Sequence, residues 1–210
     1  MDAHFMAELN ERLFTHFTAG AWRAPLSLRL MTVGRDRERP LGQIACADAR
    51  DLTRALAGVM RAAGPAPSPE VLLAAIEELR PGLARLRAQE GFAGEAAGPL
   101  HHPPLPALPG PLVLLSSAAL PVTRLIPFLV GGAARGLIWK PAPGAAASAH
   151  LLMRALGPLA SGRLAMVQGD HATGAALAGM GALVWASASA PPEDLPAPVF
   201  RISAEDPARP

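Results

Sequence analysis

Residues 111–140 read PLVLLSSAALPVTRLIPFLVGGAARGLIWK. Two short apolar runs, Leu112 to Leu115 and Leu137 to Trp139, flank a longer stretch from Val122 to Ala134. Strand, helix and strand in this order form the crossover unit that winds a parallel sheet. The whole run is no membrane span, because Arg124, Arg135, Pro121 and Pro127 interrupt it short of the roughly 18 clean apolar residues a span requires.

The alternation continues downstream. A helix is expected over Ala145 to Leu156, a strand over Leu164 to Val167, a helix over Ala172 to Met180, and strands over Ala182 to Trp185 and Val199 to Ile202. The fold class is therefore α/β: an open, mostly parallel Rossmann-like sheet with helices on both faces. A ligand site in such a sheet lies at the carboxyl ends of the strands.

Upstream, an amphipathic stretch from Phe5 to Phe14 precedes an extended segment from His16 to Trp22. Met31 to Val33 and Gly42 to Ala45, joined by a polar turn over Arg35 to Pro40, predict a hairpin. Asp48 is placed to cap a helix whose Leu52, Ala55, Leu56, Val59 and Met60 recur at helical spacing. Ser68 and Pro69 open a second helix, with Val71, Leu72, Ala75, Ile76 and Leu79 as its buried stripe. Pro81 is expected to kink or restart that helix, which runs on to about Gln89. The expected organisation is an N-terminal hairpin and helical segment over 1–90, a Pro/Gly-rich linker over 91–111, and the α/β core over 112–210.

Half of the 210 residues are hydrophobic and 17% are charged, with a mean hydropathy of +0.25. Asp2, Glu8 and Glu11 leave Met1 to Leu13 without the apolar region of a secretory signal, so a cytoplasmic location is expected. A formal charge of +2, scattered arginines, no tyrosine and 4% aromatics give nucleic-acid binding no support. The single cysteine, Cys46, excludes an intramolecular disulfide and a Cys-rich zinc site, and reads as a small buried hydrophobe. His4, His16, His101, His102, His150 and His171 show no metal-ligand spacing.

Several motifs in their order resemble the first half of an aldehyde dehydrogenase subunit. Phe17-Thr18-Ala19-Gly20-Ala21-Trp22 resembles that family's F-I-N-G-x-W strand, and Gly42 to Leu52 resembles its G-x-x-A-x-A-x-x-x-D-V. Leu137-Ile138-Trp139-Lys140-Pro141 resembles V-V-L-K-P, in which the lysine reaches the adenosine ribose of the coenzyme. Gly169-Asp170-His171-Ala172-Thr173-Gly174-Ala175-Ala176-Leu177 resembles G-D-G-A-T-G-A-A-L at the adenine edge, and Pro198 to Ile202 resembles P-V-T-L-E. The resemblance thus implies a coenzyme site at Trp139, Lys140, Gly169 and His171.

The departures imply that these positions are remnants. The family's nucleophilic cysteine belongs to a second domain that would begin beyond Pro210, and Cys46 lies far from the corresponding cleft. Glu205 is several residues out of register with the family's general base. The P-W-N-F-P segment, whose Asn helps hold the oxyanion, is replaced by Ser116-Ser117-Ala118-Ala119-Leu120-Pro121, where turn and capping roles are expected for the serines. In place of F-T-G-S-T-x-x-G, whose helix N-terminus seats the pyrophosphate, stands Val184-Trp185-Ala186-Ser187-Ala188-Ser189-Ala190-Pro191-Pro192, without glycine. Pro143 replaces the ribose-binding glutamate of K-P-x-E, and His171 replaces a glycine.

No catalytic residue, no metal and no bound coenzyme are therefore expected, NAD or NADP being the ones the resemblance would bring. Three functions stay open: a non-catalytic accessory or scaffold subunit with a protein partner or a second copy, the coenzyme-binding part of a split NAD(P)-dependent aldehyde dehydrogenase, or an NAD(H)-sensing regulatory module.

Overall fold

A computed structural model describes residues 13–34, 40–92 and 110–202. The stretch before Leu13, the tip of the turn at 35–39, most of the linker, His4, His101, His102 and Glu205 lie outside these.

Strand β6 (Leu112–Ser116, numbered in chain order) is buried along its entire length. It pairs in parallel with β7 (Leu137–Pro141) on one side and with β9 (Ala182–Ala186) on the other. A strand covered on two faces and two edges has nowhere to place polar side chains, which accounts for the unbroken apolar run. Successive residues point to opposite faces. Leu112, Leu114, Leu137, Trp139, Met166 and Val184 form one core with α3 (Val122–Arg135) and α4 (Ala146–Leu159). Val113, Leu115, Ile138, Ala165, Val167 and Leu183 form a second core on the other face, with α1 (Ala49–Met60) and α5 (His171–Ala178).

The sheet has seven strands. Its order is β10 (Phe200–Ile202), β9, β6, β7, β8 (Leu164–Met166), β2 (His16–Thr18) and β3 (Ala21–Arg23), parallel from β10 to β8. The antiparallel pair β2 and β3 extends it beyond β8 through Phe17 opposite Met166. The expected hairpin exists as β4 (Leu30–Val33) against β5 (Gly42–Ala45), in register from Leu30 opposite Ala45 to Val33 opposite Gly42. With β1 (Leu13–Phe14) it forms a separate three-stranded sheet, order β1, β5, β4.

Asp48 caps α1 through a capping box with Asp51. Helix α2 (Pro69–Gln89) passes through Pro81 as one helix, so it does not restart there. An internal proline costs about 3 kcal/mol. Leu72, Ile76, Leu83 and Leu86, all buried, each contribute roughly 1.5–3 kcal/mol and outweigh it. Pro127 within α3 and Pro158 within α4 are tolerated on the same terms. No helix among the described residues is long and apolar enough to cross a membrane.

Gly157 marks a close approach of α4 to the sheet. A Cβ there would lie 2.5 Å from Phe17 Cζ, and the Phe17 ring is itself buried in the core. Gly157→Ala is expected to lower stability by about 1–3 kcal/mol, read as a shifted urea midpoint with an unchanged slope.

Candidate functional site

The parallel register places Lys140 opposite Leu115, and Leu115 opposite Trp185. These strands end together, and beyond them opens a cleft of about 280 Å³ bounded by Leu115, Ser117, Lys140, His171, Trp185 and Leu195 among others. It occupies the position expected for a ligand in such a sheet. A larger depression of about 450 Å³ lies at the β2–β3 and α4–β8 turns, but Arg61 is its only ionisable lining residue. Reaction chemistry therefore concentrates in the smaller cleft.

Lys140 occupies the face covered by α1 and α5. A Cβ at Gly174 of α5 would lie 3.6 Å from Lys140 Cδ, so the absence of a side chain there leaves room for the lysine stem. The residue is 8% exposed and has no hydrogen bond or ion pair among the described residues. Burial lowers its pKa to about 8, against the opposing influence of Asp170 and Cys46. It is also the only lysine in a chain with nineteen lysine and arginine side chains. That count was available in the sequence and singles out the residue more sharply than the motif around it.

Asp170, the nearby carboxylate, is engaged elsewhere. It caps α5 by accepting from Thr173 N at 3.0 Å and forms an ion pair with Arg29. Burial would raise its carboxyl, but the Thr173 amide and Arg29 hold it below the usual range. His171 is the exposed first residue of α5 and stands at the cleft rim. Gly169 packs under the cap, where an added Cβ would lie 2.3 Å from Thr173 Oγ1. Trp139 turns to the opposite face: its ring belongs to the α3/α4 core and its Nε1 donates to Ser116 Oγ at 2.9 Å. Of the four positions the resemblance singled out, Lys140 and His171 meet in the cleft, while Trp139 and Gly169 lie beneath it.

Neither serine caps a helix; Ser117 opens the turn after β6, its carbonyl accepting from Leu120 N at 3.4 Å, whereas Ser116 is the last residue of β6. Ser116 Oγ receives the Trp139 indole, and Ser117 N donates to Ala186 O at 2.8 Å. Cys46 is buried, and burial pushes its thiol up, Asp170 adding to the effect. No group of three or more His, Cys, Asp or Glu side chains among the described residues could hold a metal.

The chain between β9 and β10 closes one wall. Trp185 Nε1 donates to Ser189 O at 2.7 Å, and Ser189 N donates to Ser187 Oγ at 3.2 Å. Residues 187–199 contain no helix, so no helix N-terminus faces the cleft from this side. Leu195 folds back to pack beside Trp185. Sequence reading missed this residue because nothing local announces that an irregular segment returns to the sheet.

No protein-family model matches the chain, and no curated protein matches it. Solved structures do. The Δ-pyrroline-5-carboxylate dehydrogenase of Mycobacterium tuberculosis, bound with NAD and cobalamin, superposes with a TM-score of 0.67 at 15% identity, over 87% of this chain and 44% of its own. An NAD-dependent aldehyde dehydrogenase from Sinorhizobium meliloti gives 0.65 at 17%, over 85% and 46%. An aldehyde dehydrogenase from Mycobacterium tuberculosis, complexed with NAD+, gives 0.61 at 22%, over 85% and 47%. The fold is thus that of part of an aldehyde dehydrogenase, and the chain spans less than half the length of these proteins.

The buried amine has a measurable consequence. With a pKa of about 8 in the fold and 10.5 when unfolded, Lys140 binds fewer protons in the folded state between those values, so stability rises with pH across that window. Lys140→Met is expected to remove this rise and to exceed the parent at pH 7 by up to about 3 kcal/mol. Urea unfolding of both proteins at pH 7 and at pH 10.5 checks it; parallel curves would contradict it.

Proposed function

We propose that this chain is a non-catalytic aldehyde dehydrogenase-like protein that acts as an accessory or scaffold subunit, with Trp139, Lys140, Gly169 and His171 as remnants of a coenzyme site. The observation that carries this reading is the segment after β9. A dinucleotide needs its pyrophosphate neutralised, and the usual device is a helix N-terminus with free N–H groups. Here residues 187–199 supply a serine turn, four prolines and the inward Leu195 instead. The remaining cleft, of about 280 Å³, is small for a dinucleotide, which fills more room than a drug-sized ligand. The residues present do not fit NAD or NADP.

Support for a protein partner comes from the segment leading into β4. Leu26, Leu28 and Leu30 are 42%, 98% and 53% exposed, spaced two residues apart, and β4 is an edge of its sheet. Exposed apolar side chains beside a strand edge that has no partner among the described residues are costly in an isolated protein and useful in a complex.

The coenzyme-binding part of a split dehydrogenase is the alternative that the retained Lys140 and the Asp170 cap favour; an NAD(H)-sensing module would need the same binding. Calorimetric titration with NAD and NADP separates these from the accessory role. No saturable heat is expected up to millimolar coenzyme. Saturable binding of either dinucleotide would refute the accessory reading in favour of one of the other two.

A further inference from the structure

We propose that Lys140 is an imine-forming amine: the cleft beyond β6, β7 and β9 admits a small aldehyde or ketone, whose carbonyl carbon condenses with Nζ. The inference rests on the cleft itself and holds whether or not the chain serves as an accessory subunit.

Four observations carry it. Lys140 is the only lysine, and arginine, the other basic residue type, stays protonated in proteins and has no free primary amine from which a simple imine could form. Its side chain is buried and unpartnered, yet it borders open volume. The walls beside it, Leu115, Trp185 and Leu195, are largely apolar, which suits a carbon skeleton and disfavours water. The nearby charges are committed to each other, Arg29 to Asp170, and no arginine lines the cleft, so a phosphate-like anion would lack the bidentate guanidinium that usually holds one. The lowered pKa supports the same reading, leaving about a tenth of the amine neutral at pH 7.

In the reaction, the Nζ lone pair attacks the carbonyl carbon and a C–N bond forms. A proton passes from nitrogen to oxygen, giving a carbinolamine. Its hydroxyl leaves as water with a proton that His171 or Ser117, both at the cleft, can relay, and the remaining N–H proton is released. Amine and carbonyl become imine and water, and no oxidant or reductant is consumed.

The lone lysine makes the test direct. The full-length chain is incubated at pH 7 with isobutyraldehyde and sodium cyanoborohydride, which reduces an imine to a stable secondary amine, and the labelled site is located by peptide mass spectrometry. In the folded chain, Lys140 is expected to label with saturable dependence on the aldehyde, on the order of a hundredfold faster than in the urea-unfolded chain, whose lysine is almost fully protonated. Lys140→Arg is expected to leave only the α-amine labelled. No label at Lys140 in the folded chain, or a rate no greater than in the unfolded one, would overturn the proposal. So would protection by inorganic phosphate without saturation by the aldehyde, which would assign the cleft to an anion.

Discussion

Everything at the cleft depends on the parallel pairing of β6 with β7 and β9. That register sets Leu115 between Lys140 and Trp185, and strand alternation then decides which of their neighbours face α1 and α5. A slip of one residue would send Lys140 into the α3/α4 core and bring Trp139 to the cleft. The Trp139 indole, hydrogen-bonded to Ser116 across the β6–β7 pair, opposes that slip, because moving it would leave a buried donor unpaired.

Three buried charged residues away from the cleft, Arg87, Glu90 and Asp51, fix the loops around it. Arg87 of α2 donates from Nη2 to Ala118 O at 2.8 Å, holding the loop that follows β6. Glu90 accepts from Ser148 N at 2.9 Å near the start of α4, beside the Pro143 turn, and pairs with Arg87 at 3.3 Å. Burial pushes the Glu90 carboxyl up, and the Ser148 amide and Arg87 pull it back. On the other side, buried Asp51 accepts from Leu26 N at 3.0 Å and from Arg54 Nη2 at 2.7 Å, anchoring the chain that enters β4. Such groups are expensive to bury unless satisfied, so they define one arrangement more sharply than apolar contacts do.

The sequence made the central architecture legible because short unbroken apolar runs and capped helices are local signals. Asp48 before Leu52, Asp170 before Thr173, and the runs at Leu112 and Leu137 all report on chain within a few residues. Pro81 does not end its helix because a proline's cost is local, whereas the leucines that outweigh it pack against distant elements. The joining of β2 to β8 is decided by Phe17 meeting Met166 almost 150 positions away, which no window of sequence contains. At the cleft, the motifs led to Lys140 and His171. The solitude of Lys140 came from Asp170 turning toward Thr173 and Arg29, a choice only three-dimensional packing records.

The account therefore stands on one desolvated, unpartnered amine at the end of a central strand. Because the chain has a single lysine, incorporation of 13C-labelled lysine yields one side-chain resonance set, whose shift can be followed from pH 6 to 12 by NMR. A midpoint near 8 is the result that burial without a counter-ion requires. A midpoint at the ordinary value of 10.5 or above would mean that the amine is solvated or paired, and would contradict the site as described.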